Sequence, residues 1–557
     1  MNYLRYKIFK NAKLLKQKFT HVTIVRNRLI NTTSSNCSER NESSSRFFVT
    51  TPIFYVNAAP HLGHLYTATI ADAVHRYQKL RGIETSVFST GTDEHGLKIQ
   101  QAATNCSVSP AAFCDKNSDQ FRSLFDSYGI DYTDFIRTTS DDHVNAVQHF
   151  YSKLVDRGHV YKGEYNGWYC VSDESFLTES QVTERKMPDG TFLKVSVESG
   201  HPVELNTETN YKFEMSKFKD DLSYWLKQDH LVKPKRFLKD LRSMVDGGLY
   251  DLSISRPVER VSWGVPVPGD ETQSVYVWVD ALVNYLTAVG YPNQTMWPPN
   301  LQVLGKDILK FHGIYWPTLL MAVGLEPPKQ LLVHSHWTVD GTKMSKSLGN
   351  IVCPKQSMET MTTEGVRYAL LRQGTPHSDG SWKEKESVML LNAELADSLG
   401  NLVHRCTGKS LNPFQEFPAL QPEFIASSQH AKELSVLLGS IKEEVATCYD
   451  EYNFYQGIDI IMRAVRSANV MVQEEKPWEL KANPGRLGSV IHMALSMGHA
   501  AAIMLQPIVP RYSAGLLDVL SVHETARLWR DIDRFPSVSH QPTTLGVRTP
   551  PFRKIKL

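Results

Sequence analysis

The spacing of apolar positions changes several times along the chain, and each change marks an element. Arg46–Thr50 reads Arg-Phe-Phe-Val-Thr, a short apolar run suited to a strand. Pro52 and Pro60 interrupt regular structure, and from Leu65 onward Ile70, Ala73, Val74, Tyr77 and Leu80 recur at helical spacing up to Gly82. Residues 85–90 predict a second strand, so this stretch opens a parallel sheet in an α/β fold. Residues 97–139 look helical, with Pro110 and Gly129 as breaks. From about 140 to 269 the periodicity changes and aromatic and charged residues gather, among them Tyr161, Tyr165, Trp168, Tyr169 and Trp225; an insertion is expected there. Branched apolar runs at 274–279, 301–304 and 331–333 predict that the parallel sheet then resumes. From about Ser387 strand signals vanish. Apolar spacing of three and four, as in Leu434, Leu438, Ile441 and Val445, predicts a helical bundle almost to Pro536, followed by an extended tail from Ser537.

Composition narrows the class. With 557 residues, 41% hydrophobic and 22% charged, the chain suits a globular protein of two to four domains. No apolar run approaches the roughly 18 to 20 residues of a membrane span. The net charge of +2 hides an asymmetry, because residues 1–38 carry Arg5, Lys7, Lys10, Lys13, Lys16, Lys18, Arg26 and Arg28 and no acid. Setting aside residues 1–45 leaves 52 of the 61 basic residues against 57 of the 59 acidic ones, a balance near −5. That basic, acid-free leader with interleaved Leu4, Ile8, Phe9, Leu14, Leu15 and Phe19, ending in a linker rich in Asn, Ser and Thr, reads as a mitochondrial transit peptide. Its competing reading is a disordered arm that binds nucleic acid. Seven scattered cysteines give no disulfide framework.

Candidate chemistry sits where the first strand gives way to the first helix. Residues 50–65 read Thr-Thr-Pro-Ile-Phe-Tyr-Val-Asn-Ala-Ala-Pro-His-Leu-Gly-His-Leu. A helix N-terminus at a strand's carboxyl end favours anions, and His61 and His64, with Gly63 admitting a ligand to the backbone, suit the phosphates of a nucleotide. Downstream, residues 343–350 read Lys-Met-Ser-Lys-Ser-Leu-Gly-Asn between Gly341 and Gly349, a mobile loop with two point charges that can close over a transferring phosphoryl group. After the second strand, Gly-Thr-Asp-Glu-His-Gly at 91–96 offers Asp93 to an ammonium group or a ribose.

The two stretches together resemble the "HIGH" and "KMSKS" motifs of class I aminoacyl-tRNA synthetases. Within that class the resemblance is to the methionyl branch, from about Arg46 to Trp478. It also rests on Asp-Leu-Ser-Ile-Ser-Arg-Pro at 251–257, Tyr-Val-Trp-Val-Asp-Ala at 276–281, Gly-Lys-Asp-Ile-Leu-Lys-Phe-His at 305–312, Asn-Leu-Val-His-Arg at 401–405 and Lys-Pro-Trp at 476–478. The resemblance implies a Rossmann-type parallel-sheet catalytic domain split by a connective insertion and followed by an α-helical anticodon-binding bundle. The chain then divides into leader and linker (1–45), first catalytic half (46–139), insertion (140–269), second half (270–337), lysine loop and stem-contact region (338–386), bundle (387–536) and tail (537–557).

The implied reaction is ATP-dependent attachment of methionine to tRNA(Met) through methionyl-adenylate, with Mg²⁺ accompanying ATP, in the mitochondrial matrix. His61, His64, Lys343 and Lys346 are the implied catalytic residues. Gly63, Gly305 and Asp307 join them at ATP, Asp307 as the ribose-contacting acid. Ile53, Tyr55, Asp93, Trp278, Ala281, Tyr285 and His312 match the methionine pocket, where aromatic walls suit a polarizable sulfur; Leu282 departs from the proline of some members. Asn401, Arg405 and Trp478 match the anticodon readers, and stacking on Arg405 and Trp478 suits unstacked bases.

In the insertion Cys170 is followed by Val171-Ser172-Asp173 rather than a second cysteine, and with His201 as the only other plausible ligand no structural zinc is expected. No appended dimerisation domain is expected, so the expected state is a monomer, without DNA or membrane partners. A leucine- or cysteine-specific relative, a small-molecule nucleotidyltransferase and an inactive RNA-binding paralogue are the alternatives. Pyrophosphate exchange separates them.

Overall fold

The structure, a computed structural model, describes residues 46–170, 175–177, 179–187, 190–197, 200–293, 296–344, 349–534, 543–546 and 552–556. The leader at 1–45 lies outside them. The first half comprises β1 (Arg46–Thr50), β2 (Phe54–Tyr55), α1 (Leu62–Leu80), β3 (Thr85–Asp93), α2 (Pro110–Ser127) and β4 (Asp134–Arg137). β4 falls in a stretch expected to be helical; its four half-buried residues are too short a run to show a period.

Helix α3 (Asp141–Asp156) follows, and then the long antiparallel pair of β5 (Val160–Cys170) and β6 (Glu204–Phe213). Next come β7 (Val232–Lys233), α4 (Val277–Thr287), β8 (Leu301–Gly305), α5 (Trp316–Val323) and β9 (Leu331–His334).

One seven-stranded sheet, parallel in every ladder, organises these elements. β1 pairs with β3 through Phe48↔Val87 and with β8 through Val49↔Leu301. β2 takes up the edge of β3 that β1 leaves, with Tyr55 opposite Asp93, while β4 lines the far edge. The chain thus runs outward from β1 to β4 and returns to lay β8 and β9 on the other side. The order reverses between β1 and β8, which is where a crevice opens in such sheets. β7, inside the stretch expected to be insertion, closes this side by pairing with β9.

Both faces of the sheet are covered. Val303 and Leu332 enter a core shared with α1, α2 and the bundle, while Leu304, Leu331 and Val333 enter one shared with α3, α4 and α5. The apolar run at 274–279 is not a strand of this sheet. Its first residues end an antiparallel strand, Asp270–Val275, and the rest begin α4. An apolar run of this length does not distinguish strand from buried helix.

Helix α6 (Pro354–Gln373) leads into Glu384–Leu391, a wide-turned π segment at Asn392–Gly400, and Asn401–Cys406. Then come α7 (Gln429–Asp450), α8 (Phe454–Glu475), α9 (Pro484–Leu505) and α10 (Pro510–Val519), the expected bundle. α9, at 22 residues, is long and apolar enough to cross a membrane, contrary to the expectation that no run reaches that length. It is the bundle's central helix, in contact with α7, α8 and α10 and buried along most of its length, which accounts for apolar residues on every side.

The described parts of the tail are docked rather than simply extended. Thr543–Thr544 pairs with Glu416–Phe417, and Asn392 exchanges two 2.8 Å hydrogen bonds with the backbone of Ile555.

Candidate active site

The first turn of α1 faces the crevice. His61 is the cap residue: its Nδ1 accepts from Gly63 N–H at 3.0 Å, and its own backbone N–H donates to His64 Nδ1 at 3.2 Å. With both Nδ1 atoms accepting, each ring carries its proton on Nε2. The rings stack with centroids 3.7 Å apart, and Phe54 and Phe121 flank His64. No acidic residue occupies the first turn, so the helix end keeps its positive character. Gly63 has a reason beyond ligand access, since a Cβ there would lie 2.9 Å from His61 Cε1.

The segment just after the lysine stretch borders the same turn. Leu62 N–H donates to the carbonyl of Val352 at 3.2 Å, and Met344 is buried. Lys343 lies in a two-residue strand, Thr342–Lys343, paired with Trp337–Val339. Lys346 lies outside the described residues.

Opposite, at the carboxyl end of β8, the Asp307 carboxylate folds back over Gly305, where a Cβ would lie 2.6 Å from Oδ1; the same oxygen meets His336 Nε2 at 3.0 Å. Thr67 of α1 reaches His334 Nε2 at 2.9 Å, joining the histidine helix to β9. Burial pushes the pKa of His334 down to about 4. His61, Gly63 and His64 thus stand at the start of α1, and Gly305 and Asp307 at the carboxyl end of β8, the strand paired with β1.

The residues matched to the amino-acid pocket gather beside it. Tyr285 donates its hydroxyl to His312 Nε2 at 2.7 Å, and His312 donates from Nδ1 to the Ile308 carbonyl at 2.9 Å. Both side chains are buried, and burial pulls the His312 pKa down to about 4, so the ring is neutral and a fixed acceptor. Trp278, a partly buried residue of α4, stacks on Phe311 at 3.6 Å, a partner not singled out in the sequence. Ala281 lies one turn along the same face. Tyr55 and Asp93 face each other across the β2–β3 ladder, with Asp93 buried and Ile53 partly buried just before β2.

Two buried acids that no local pattern distinguishes tie these elements together. Glu94 accepts both arms of Arg137, at 2.7 and 2.9 Å, and the Thr92 and Thr139 hydroxyls. Asp280 joins His95 at 2.7 Å to His143 at 2.9 Å. Burial works against its charge, yet the two histidines outweigh it and the pKa falls to about 2. Both acids lie inside stretches already quoted, but their partners come from elsewhere in the chain.

At the far end of the bundle, the Arg405 guanidinium lies 5.8 Å from the centre of the Trp478 ring, and Asn401 is exposed one turn before Arg405 on the same face. Lys476, left-handed at φ 45°, ends α8, and Pro477 starts the turn that leaves Trp478 39% exposed, so this tryptophan is no bundle-core residue. Cys170 is buried and His201 is exposed.

Residues 47–407 match the family described as tRNA synthetases class I (M). The chain is 46% identical over 503 residues to the mitochondrial methionine–tRNA ligase of Homo sapiens, covering 86% of this chain and 85% of that one. A probable mitochondrial methionine–tRNA ligase of Dictyostelium discoideum is 41% identical over 537 residues, covering 92% and 93%. Among solved structures, Mycobacterium tuberculosis methionyl-tRNA synthetase in complex with methionyl-adenylate superposes with a TM-score of 0.84 at 33% identity, covering 90% of this chain and 98% of that one. The apo form of that synthetase gives 0.79 at 31%, covering 93% and 99%. The parallel sheet, the histidine-capped helix and these likenesses agree: the chain belongs to the methionyl-tRNA synthetase family of class I tRNA synthetases.

Proposed function

We propose that His61 and His64 donate from Nε2 to the phosphates of ATP while Lys343 and Lys346 approach from the other side. The single observation that carries this reading is the α1 N-terminus, where two stacked imidazoles have both Nδ1 atoms occupied by backbone N–H groups. The bond from Leu62 to Val352 supports a lysine loop at the same turn. The activity is ATP-dependent attachment of methionine to tRNA, and it serves the mitochondrion.

The methionine carboxylate attacks the α-phosphorus, pyrophosphate leaves, and methionyl-adenylate forms. A ribose hydroxyl of the terminal tRNA adenosine then attacks the acyl carbon and AMP leaves. Charge grows on the phosphoryl oxygens in the first step, so donors fixed in advance lower that barrier. Gly63 and Gly305 let the nucleotide approach the backbone, and Asp307 takes the ribose. Asp93 takes the ammonium group of methionine, with Ile53, Tyr55, Trp278, Ala281, Tyr285 and His312 around its thioether. Asn401, Arg405 and Trp478 read the anticodon.

Mg²⁺ enters with ATP. The ion is held mainly by the phosphates and water. Matrix location, a monomeric state and the seven-part division of the chain complete the proposal.

The test is amino-acid-dependent ATP–pyrophosphate exchange by the full chain with each of the twenty amino acids, and with Lys346→Ala as comparison. Exchange driven by methionine and lost in the variant is the expected result; exchange indifferent to Lys346 would overturn the role of the loop.

A further inference from the structure

We infer that Asp280 is a positioning residue that sets the distance between the amine end and the thioether end of the methionine pocket; this rests on the proposed function above. The carboxylate is 1% exposed and both its oxygens are taken. Oδ2 accepts from His95 Nδ1 at 2.7 Å, and Oδ1 accepts from His143 Nε2 at 2.9 Å.

The two histidines belong to different sides of the pocket. His95 lies two positions past Asp93, in the turn that leaves β3. The same turn is braced by Trp263, whose indole N–H donates to the Glu94 carbonyl at 2.6 Å and whose ring meets His95 edge-on at 5.7 Å. His143 stands on α3 and bridges the length of α4, because its Nδ1 meets Thr287 Oγ1 at 2.9 Å while Nε2 holds Asp280.

A helix tied at both its first and last turns can neither slide nor rotate. Trp278, Ala281 and Tyr285 follow one face of α4, and Asp280 projects off that face. The rotation of α4, and with it the aim of Trp278 and Tyr285, is therefore fixed by the bond to His143. The bond to His95 fixes how far that face stands from Asp93. Substrate length is measured between the two, so an unbranched four-atom side chain fits where a longer or shorter one meets displaced walls.

The test is methionine-dependent pyrophosphate exchange by the full chain, its Asp280→Asn variant, and the pair His143→Ala and His143→Gln. Glutamine places an amide N–H near the position of Nε2, so it restores the bond that alanine removes. Asp280→Asn and His143→Ala are expected to raise the methionine KM about tenfold, the loss of one charged hydrogen bond, with the ATP KM within about twofold. The preference for methionine over ethionine is expected to narrow, and His143→Gln to recover the parent value.

A methionine KM unchanged in Asp280→Asn, or equal rises for methionine and ATP, would overturn the role of Asp280. Should Asp280→Asn fail to fold, the His143 pair decides, and equal behaviour of alanine and glutamine overturns the inference. Absence of methionine-dependent exchange in the parent sinks the proposed function instead.

Discussion

Arg367 Nη2 lies 2.6 Å from Asp72 Oδ2, and neither side chain reaches solvent. Asp72 belongs to α1, the histidine helix; Arg367 belongs to α6, which follows the lysine stretch, and it also donates to the carbonyls of Pro507 and Ile508 in the bundle. Burial works against the Asp72 charge, but Arg367 and Arg76 outweigh it and hold the pKa below the usual carboxylate range. Arg367→Met would leave the buried Asp72 carboxylate with Arg76 as its one remaining cation and destabilise the fold by about 2–3 kcal/mol. Guanidinium unfolding measures this, and the Asp72→Asn, Arg367→Met double variant should recover part of the loss.

His64→Asn separates the two nitrogens of that ring. The asparagine amide can take over the acceptor role of Nδ1, but nothing replaces Nε2. Stability should change by less than about 1 kcal/mol while kcat of exchange falls about 10²–10³-fold, as for loss of one fixed donor to a developing charge. A kcat within fivefold of the parent would contradict the proposed donor.

Tyr285→Phe removes the hydroxyl that His312 Nε2 accepts and leaves that nitrogen buried without its donor. The methionine KM should rise by the equivalent of about 1–2 kcal/mol, with the ATP KM unchanged. Steady-state exchange with each substrate varied separately checks this.

Acid should weaken the fold through its buried histidines. Burial lowers the pKa of His312 and His334 to about 4, whereas an unfolded histidine binds its proton near pH 6.5. Between those values the unfolded chain holds the extra protons, so stability is full above about pH 6.5 and falls as the pH drops toward 4. His312→Gln should flatten that fall, as read from unfolding midpoints at pH 7 and pH 5.

Trp478→Ala should raise the KM for tRNA by the equivalent of about 1–3 kcal/mol, the worth of one stacked base. Pyrophosphate exchange, which needs no tRNA, should be unchanged. A parallel loss of both would place Trp478 in the fold rather than at the RNA.

The elements legible in the sequence are those built from neighbours. β1, α1 and the His61–His64 cap all lie within one short stretch, where period and punctuation agree. The run at 274–279 is not legible as an element because an apolar run does not say whether it ends a strand or starts a helix, and only the pairing of Val275 with Ser255 decides it. β7 was hidden because two residues carry no pattern. The Asp280 bridge was illegible for a different reason: its histidines lie 185 and 137 positions away, and no local rule connects them. The candidate pocket residues are reached through resemblance, and the stack of Phe311 on one of them, Trp278, is not.

The place of β1 in the sheet bears on how the protein is made. One edge of β1 meets β3 soon after it in the chain, but the other waits for β8, and Phe48 bonds to Asn300 across 252 positions. A polypeptide entering an organelle amino end first thus brings in the histidine helix long before the strand that completes its crevice. Until then β1 has a bare edge, a template for pairing with the wrong partner. Closing so distant a parallel pair is slow. The crevice beside the histidine helix is therefore complete only once β8 has joined β1.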